Sequence, residues 1–271
     1  MAVDYERKER YTIDDLRRIM EILRSEDGCP WDRVQTHESI RKNLIEETYE
    51  AVEAIDLHDP VLLREELGDV LLQVIFHARM EEEQSVFDFD DVVTELCQKL
   101  LVRHPHVFSN VSASNVEEAY DSWNAVKQQT KGQTTASETL ESVPKQLPAL
   151  MRSEKVQGRA RKANAVFGYA DENAVYADFD SEVAELHEAA AGGDRERIAA
   201  ELGDVLFAAV NVARQYDLDP EELLTRSCDR FISRFCEVER LSTERGVPLK
   251  EADAQLLDEL WKLVKSTENL N

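Results

Sequence analysis

The chain has 271 residues, enough for one large domain or for two ordinary ones with proper cores. It carries 56 acidic and 32 basic side chains, a formal net charge of -24, which would be repelled by the polyanionic surface of a nucleic acid or a membrane. Any anionic ligand is therefore expected to arrive with metal cations, and neither a nucleic-acid polymer nor a membrane is expected as a partner.

The N-terminal residues MAVDYERKERYT are charged from the fourth residue and lack the apolar core of a signal peptide. No later apolar stretch approaches the length of a membrane span. The cysteines show neither CxxC spacing nor the density of a disulfide framework; they are Cys29, Cys97, Cys228 and Cys236. We therefore expect buried thiols and a cytoplasmic protein.

Apolar residues recur at helical spacing along most of the chain. In the first half this pattern predicts helices at 12–23, 36–56, 60–80, 90–102 and 117–129. Asp59 followed by Pro60 supplies an N-cap and a first helical residue, and Asp194, at the end of AGGD, plays the same part in the second half. No segment alternates convincingly as a strand does, so the predicted fold is all-α.

The second half of the chain repeats the first. A shift of 135 residues aligns Glu47, Glu50 and the first ELGDV segment with Glu182, Glu185 and the second ELGDV segment. Shifts of 131 and 138 align further residues of the two halves in the same order. A period this long indicates two homologous helical-bundle domains. A polar stretch near residues 128–143 predicts domains at 1–130 and 146–271, with a linker at 131–145.

Each copy contains two pairs of acidic residues spaced i, i+3, which places each pair on one helix face. Fifteen residues separate the pairs in both copies, enough for a helix to descend, turn and climb back to the same level. Four facing carboxylates would repel one another unless a divalent cation lay among them. The predicted metal ligands and catalytic residues are Glu47, Glu50, Glu66 and Asp69, and Glu182, Glu185, Glu201 and Asp204.

The ligand type selects the metal. All-oxygen ligands suit Mg²⁺, which shares its shell with water and substrate phosphates, and Mn²⁺ is an alternative ion. A di-iron bundle would need Glu-x-x-His, and none of the six histidines has an acid three residues before it.

The residues around each ELGDV segment bear on the same question. The apolar residues after Asp69 and Asp204 predict mostly buried helices, in which an unpaired carboxylate would be costly. Gly68 and Gly203 weaken a helix by about 1 kcal/mol relative to alanine. Their presence predicts close approach of a neighbouring helix or a ligand.

Basic residues follow each quartet at i, i+4, as Lys99 and Arg103 in the first copy and as Arg230 and Arg234 in the second. These side chains could bind the phosphate oxygens that the metal does not bind. A cationic helix face that pairs with local acids explains the spacing equally well. Their recurrence in both copies favours a functional role.

Two tryptophans are candidates for stacking on a nucleobase. Trp123 and Trp261 occupy equivalent positions, each followed one turn later by a lysine, Lys127 or Lys265. Such a tryptophan more often belongs to a hydrophobic core, and both interpretations stay open here.

Several motifs follow the pattern of one family in its order: GCPWD at 28–32, EETYE at 46–50, ELGDV twice, HPHVF at 104–108 and FISRFCEVER at 231–240. On these motifs the chain resembles a full-length, two-domain MazG nucleoside triphosphate pyrophosphohydrolase. The resemblance implies an all-α fold shared with dimeric dUTPases and phosphoribosyl-ATP pyrophosphohydrolase. It also implies a homodimer and Mg²⁺-dependent hydrolysis of a nucleoside triphosphate to its monophosphate and pyrophosphate.

The same resemblance assigns residues. It implies that all eight carboxylates are metal ligands, that Arg230 and Arg234 contact the triphosphate, and that Arg197 is a further basic position. Two departures from the pattern stand out. Ser181 replaces the extra acid found at Glu46, and the tripeptide at 169–171, Tyr-Ala-Asp, stands where relatives usually have Phe-Asp-Trp.

The resulting hypothesis is a Mg²⁺-dependent hydrolase in which one glutamate of each quartet acts either as a ligand or as the general base. Two other classes of protein share these sequence features. A catalytically weak or inactive regulatory and dimerisation scaffold would keep the fold without Mg²⁺-dependent turnover. A metal-dependent phosphatase would release orthophosphate instead of pyrophosphate.

Overall fold

The computed structural model describes residues 5–109, 114–116, 118–119, 122–123, 126, 132–169 and 171–268. Within these residues every regular element is a helix, as the sequence predicts. None of the described helices combines the length and apolarity needed to cross a bilayer. The chain divides into two compact units, Met1–Lys127 and Gln128–Asn271, while the predicted domain bounds stay a prediction.

The described helices of the first unit follow the predicted ones closely. In chain order they are α1 (Ile13–Arg24), α2 (Pro30–Arg33), α3 (His37–Asp56), α4 (Pro60–Glu83), α5 (Phe89–Arg103) and α6 (Pro105–Phe108). Four of the five predicted helices are thereby confirmed, with ends that differ by at most three residues. The fifth, at 117–129, lies largely outside the described residues.

A short turn joins α3 to α4, as the sequence predicts. The Asp59 side chain accepts hydrogen bonds from the backbone amides of Val61 and Leu62, and Pro60 opens the helix. These bonds satisfy donors that the first turn of a helix leaves unpaired. His58 takes a positive φ of 55° within this turn. The two helices form an antiparallel hairpin with a connection of three residues, Leu57, His58 and Asp59.

The core of the first unit lies between α1, α3 and α4. Its buried residues are Met20, Ile40, Ile75, Phe76 and Met80. Arg24 ties α1 to this core by donating two hydrogen bonds to Glu83, of 2.9 and 2.8 Å, and by stacking on Phe76. It also donates to the carbonyl oxygen of Asp32 at 2.6 Å, which fixes the GCPWD segment beside α1.

The second unit repeats the hairpin with different connecting residues. Its helices are α7 (Ala136–Glu141), α8 (Ala149–Ala163), α9 (Glu172–Gly192), α10 (Arg195–Gln215), α11 (Pro220–Glu244) and α12 (Ala254–Glu268), with 3-10 turns at Ala165–Phe167 and Leu249–Glu251. Gly193 ends α9 with a φ of 71°, and the Asp194 side chain caps α10 through the amides of Glu196 and Arg197. The predicted turn at 192–194 is confirmed.

One cluster of buried residues in the second unit joins α11 to α12. Val238, Leu260 and Val264 form its centre. The segment taken as a linker contributes to this unit as well, because α7 packs against α8 and Val143 is buried. Arg159 of α8 donates to the Ser142 hydroxyl at 2.8 Å and to the Thr139 carbonyl. Part of the polar stretch at 131–145 is therefore helical and anchored.

Two expectations about burial, those for the ELGDV helices and for the cysteines, are wrong for the single chain, and the close neighbour predicted for the two glycines is not a helix among the described residues. The ELGDV helices are buried on one side only, since Leu71, Val74, Leu206 and Phe207 are exposed. A Cβ placed on Gly68 or Gly203 would meet no atom of the described residues within 4 Å, so no neighbouring helix of this chain explains either glycine. The cysteines are free thiols, but three are exposed and Cys29 is half-buried. An amphipathic helix exposes one of its sides, and a run of apolar residues in the sequence does not show that one side is exposed.

The position of Ile75 at the centre of the first core gives a direct test. Ile75→Ala is expected to lower the free energy of unfolding of the first unit by about 2–5 kcal/mol, because it removes buried methyl groups and leaves a cavity. Val61→Ala, at an exposed position in the first turn of α4, is the control and should change it by less than about 0.5 kcal/mol. Urea titrations followed by circular dichroism measure both; equal effects would contradict the core assignment.

Candidate metal centres

The first candidate centre lies across the hairpin of α3 and α4. Glu47 projects from α3, and Glu66 and Asp69 project from α4 one turn apart. One carboxylate oxygen from each of these three residues lies within 4.8 Å of the other two. Glu50, the fourth predicted ligand, is exposed and outside this group of three. The hairpin therefore brings three of the four acids together and leaves the fourth at its edge.

Mutual repulsion is visible in the proton affinities of this centre. Burial raises the pKa of Glu47, and the negative charges of Asp69 and Glu50 raise it further. Burial also raises the pKa of Glu66, followed by the charges of Glu50 and Asp69. Glu50 thus interacts with both other glutamates despite its exposure. Without a cation, these side chains hold protons more tightly than an isolated glutamate does.

The second centre has the same construction on α9 and α10. Glu182, Glu201 and Asp204 each place a carboxylate oxygen within 4.8 Å of the other two. Burial raises the pKa of Glu182, and the charges of Glu185 and Asp204 add to the increase. Glu185 is exposed at the edge of the centre, as Glu50 is in the first unit. The repeat in sequence is therefore also a repeat in geometry.

The donor sets of both centres fit a hard divalent cation. Two oxygen ligands of Mg²⁺ lie at most about 4.2 Å apart, because each metal–oxygen bond is about 2.1 Å long. Oxygens already within 4.8 Å need only a small side-chain movement to reach that arrangement. Carboxylate-only donors exclude the thiolate and imidazole chemistry of zinc and copper sites.

The basic residues predicted in the first unit lie on and after α5, which packs against α4. Lys99 is exposed, and Arg103 is half-buried one turn later. The Arg103 guanidinium carbon lies 5.3 Å from the centre of the Trp123 ring, which is a cation–π contact. The Nε atom of Arg103 is buried and has no hydrogen-bond acceptor among the described residues. Lys127, predicted to contact nucleotide, lies outside the described residues.

One basic residue of the second unit touches the candidate centre directly. Arg197 of α10 lies 3.4 Å from a carboxylate oxygen of Glu201 and 3.7 Å from one of Glu188. The pairing places a cationic group at the edge of the second centre. The first copy has Leu62 at the equivalent position.

The remaining predicted contacts of the second unit lie on α11 and α12. Arg230 is exposed and Arg234 is half-buried, one turn apart on α11. Trp261 packs against the buried cluster of α11 and α12, and its ring centre lies 5.4 Å from that of Phe231. Lys265 is exposed on α12. Trp261 is half-buried, and these contacts favour the core interpretation of this residue.

Sequence reasoning missed one acidic residue beside the second centre. Asp178 lies one helical turn before Glu182 on α9, and its charge contributes to the raised pKa of Glu182. Its Oδ2 atom accepts a hydrogen bond of 2.6 Å from the hydroxyl of Tyr169, which belongs to the segment at 169–171 for which the resemblance implies a departure from the family pattern. Following the i, i+4 face of α9 back by one turn would have found Asp178. The middle residue of that segment, Ala170, lies outside the described residues.

Comparisons with known proteins agree with this geometry. The profile of the MazG nucleotide pyrophosphohydrolase domain matches residues 35–108 and 172–238, which include both candidate centres. The nucleoside triphosphate pyrophosphohydrolase/pyrophosphatase MazG of Thermotoga maritima is 40% identical over 252 residues, covering 93% of this chain and 95% of that protein.

Two further relatives have similar names. The nucleoside triphosphate pyrophosphohydrolase of Escherichia coli K12 is 40% identical over 261 residues, which cover 94% of this chain and 98% of that protein. The protein of that name from Mycobacterium tuberculosis is 36% identical over 230 residues, covering 83% of this chain and 68% of that protein.

The raised carboxyl pKa values predict how stability depends on pH when divalent ions are absent. Glu47 and Glu66 have ordinary pKa values of 4.5, so between that pH and their raised values the folded chain binds more protons than the unfolded chain. Their favourable contribution is therefore complete below pH 4.5 and is lost as the pH rises through the raised values. In EDTA, a Glu47→Gln, Glu66→Gln variant should unfold at a higher urea concentration than the parent. The difference between their urea midpoints should be greater at neutral pH than at pH 4.5.

A matched substitution distinguishes the effect of relieving repulsion within the first centre from the effect of lowering the negative charge of the chain in general. Glu95→Gln removes an exposed carboxylate on α5. The difference in urea midpoint between this variant and the parent should not increase as the pH rises. Added Mg²⁺ should restore the parent and not the doubly substituted variant. Parallel pH profiles of parent and variant would contradict the repulsion described for the first centre.

Proposed function

The chain belongs to the MazG nucleotide pyrophosphohydrolase family, and from that membership we propose how its two centres carry out the reaction. It is a hydrolase that cleaves nucleoside triphosphates, releasing a nucleoside monophosphate and pyrophosphate. The observation that carries the proposal is the pair of equivalent three-carboxylate groups, each formed across a short helical hairpin. Both groups lie within the regions matched by the family profile.

Mg²⁺ is the proposed cation, and Mn²⁺ is an alternative with the same preference for oxygen ligands. Glu47, Glu66 and Asp69 hold it in the first unit, and the equivalent acids Glu182, Glu201 and Asp204 hold it in the second. When bound, such a cation supplies positive charge to the phosphate oxygens and lowers the pKa of a water molecule. The carboxylates fix where that charge lies, which orients the triphosphate relative to the water.

Glu50 and Glu185 take a different proposed part from the other acids. Both are exposed at the edge of their centres while the remaining three carboxylates converge. An exposed glutamate beside the centre can accept a proton at its carboxylate oxygen from the attacking water, as a general base does. Each residue can also complete the ligand set after a small rotation, and both roles use the same side chain.

Basic and aromatic side chains complete the proposed substrate contacts. Arg103 has a buried Nε–H with no acceptor among the described residues, which suits an anionic ligand, and Trp123 supports its guanidinium group from one face. The other proposed phosphate or nucleotide contacts are Lys99, Lys127, Arg197, Arg230, Arg234, Trp261 and Lys265. In the second unit Arg197 is already paired with Glu201, so a bound phosphate would draw it away from that carboxylate.

The cytoplasm is the proposed compartment for this reaction. All four cysteines are free thiols, and those at 97, 228 and 236 are exposed. Exposed thiols persist most readily where the surroundings are reducing.

A homodimer is proposed from the exposed apolar surfaces beside the centres. On α10, Leu202, Leu206 and Phe207 are exposed, next to Gly203, where an added Cβ would meet no atom of the described residues within 4 Å. On α4 the residues Leu67, Leu71 and Val74 repeat the arrangement. Contiguous apolar surface of this kind is unusual on a monomer and is typical of an interface. A second copy of the chain would cover these faces and would give Gly68 and Gly203 the close neighbour that the single chain lacks.

The interface can be tested with one charged substitution. Leu206→Glu is expected to convert the dimer to monomers in sedimentation-velocity experiments, because it places a charge in an apolar interface. Val166→Glu, at a highly exposed position in the 3-10 turn, is the control and should leave the sedimentation coefficient unchanged. A parent chain that sediments as a monomer at micromolar concentration would contradict the proposed dimer.

The catalytic assignment predicts the effect of removing one ligand from each centre. A Glu66→Gln, Glu201→Gln double variant is expected to lose Mg²⁺-dependent cleavage of nucleoside triphosphates by at least about 100-fold, since each centre loses a charged ligand. Each single variant should retain the activity of the other unit, which reveals whether both units are active. The measurement is release of nucleoside monophosphate and pyrophosphate resolved by ion-exchange chromatography.

Product identity distinguishes the remaining classes of protein. Orthophosphate as the primary product would indicate a metal-dependent phosphatase. Absence of Mg²⁺-dependent turnover in the parent would indicate a regulatory scaffold. If the double variant still released pyrophosphate, the carboxylate clusters would have no role in the reaction. A panel of nucleoside triphosphates in the same assay would identify the preferred base.

A further inference from the structure

A chain of hydrogen bonds runs through the second unit from Arg214 to Asp178. Arg214 Nη1 donates to Asn211 Oδ1 at 2.9 Å, and Asn211 Nδ2 donates to the Tyr169 hydroxyl at 3.1 Å. The Tyr169 hydroxyl donates to Asp178 Oδ2 at 2.6 Å. The bonds join α10 to the loop before α9 and then to α9 itself. We refer to these four residues as the Tyr169 relay.

The chemistry of the groups fixes the direction of every bond in the relay. A guanidinium group can only donate, so the carbonyl oxygen of the Asn211 amide must face Arg214. The amide nitrogen then faces Tyr169, and because it too can only donate, the hydroxyl must give its single proton to Asp178. Three donors therefore point the same way, from a cation to an anion, and each bond polarises the next.

The relay ends beside the second centre. Asp178 lies four residues before Glu182 on α9, which places both side chains on one face of the helix. Burial and the bond to Asp178 raise the pKa of Tyr169 to about 12, and the charge of Glu182 contributes to the increase. Asp178 in turn contributes to the raised pKa of Glu182. The relay therefore lies close enough to Glu182 for their charges to interact.

The first unit is built differently at the equivalent positions. The shift of 135 residues aligns Asp178 with Asn43 and Asn211 with the buried Phe76. Arg79, the counterpart of Arg214, instead forms ion pairs with Glu82 and Glu83 at 3.0 and 3.2 Å. The fold alone therefore does not require the relay, which is specific to the second copy.

We propose that Tyr169 is a positioning residue of the second centre: it fixes one oxygen of Asp178, so that this fifth carboxylate accepts a hydrogen bond from a water in the shell of the divalent cation. The inference rests on the proposed function, since it requires a cation at Glu182, Glu201 and Asp204. A carboxylate outside the ligand set can act this way because Mg²⁺ and Mn²⁺ sites retain several waters. Groups that orient such waters and ligands raise metal affinity without touching the ion.

The test measures binding of Mn²⁺ alone, in the absence of nucleotide. The background is a Glu47→Gln, Glu66→Gln chain, whose first centre is disabled, and bound Mn²⁺ is quantified by electron paramagnetic resonance. Tyr169→Phe removes only the relay hydroxyl, while Asp178→Asn keeps an acceptor for that hydroxyl and removes the charge. Each is expected to weaken Mn²⁺ binding at the second centre roughly tenfold. Combining them should cost no more than the greater of the two single effects, because both break the same relay.

Control variants separate this inference from its alternatives. Tyr176→Phe removes the hydroxyl of a tyrosine on α9 that is bonded to Tyr216 at 3.0 Å, and it should leave Mn²⁺ affinity unchanged. Thermal unfolding of each variant shows whether the relay is structural only. A Tyr169→Phe chain that binds Mn²⁺ as tightly as the background overturns the inference, whether or not its stability falls.

Failure of the proposed function would give a different result. If Glu201→Gln abolishes Mn²⁺ binding and Tyr169→Phe does not change it, the metal centre stands and the relay has no part in it. If the background chain binds no Mn²⁺, or if Glu201→Gln does not reduce the Mn²⁺ that it binds, both the metal centre and the inference are overturned.

Discussion

Carboxylates of like charge face one another across each helical hairpin, and their repulsion is the constraint on which the two centres depend. The hairpin connections of two and three residues keep the two helices of each hairpin side by side, which holds the backbone positions of the acids close together. Burial raises the pKa values of Glu47, Glu66 and Glu182, and the repulsion between the carboxylates raises them further. In the proposed reaction a divalent cation removes this repulsion, so the unfavourable charge of the unoccupied centre would contribute to its affinity for metal and, through the metal, for a triphosphate.

Sequence periodicity was sufficient for four helices of the first unit and for both hairpin turns, whereas the helices Ala136–Glu141 and Ala149–Ala163 were not predicted. Asp59, Pro60 and Asp194 act through local hydrogen bonds and backbone preferences that depend only on neighbouring residues. The i, i+3 spacing also placed the acidic pairs on facing sides, because side-chain direction follows from helix geometry. The same reasoning could not separate the converging acids from Glu50 and Glu185, since convergence depends on how the helices cross and not on spacing along either one.

Other features depend on contacts between distant parts of the chain and could not be predicted from the sequence pattern. Burial at Leu71 and Leu206 was overestimated because an apolar run does not reveal which side of a helix meets its own core. The hydrogen bond between Tyr169 and Asn211 joins residues 42 positions apart. Comparing the two copies could not predict it, because the first copy lacks both residues. The two copies therefore share the acidic groups but differ in what surrounds them: Arg197 and Asp178 flank the second centre, and Leu62 and Asn43 stand at the equivalent places in the first.

The short hairpin turns also affect how a duplicated chain reaches its native state. Two copies with near-identical ELGDV segments could in principle exchange partners, with α3 pairing with α10, as repeated domains in one polypeptide sometimes do. A connection of two or three residues gives each helix a partner at very high effective concentration, whereas the rival partner is more than a hundred residues away along the chain. The tight reversal at His58 thus favours correct pairing of the first hairpin before the second copy has left the ribosome. The reversal at Gly193 then pairs the second hairpin locally, when α3 and α4 are already paired with each other.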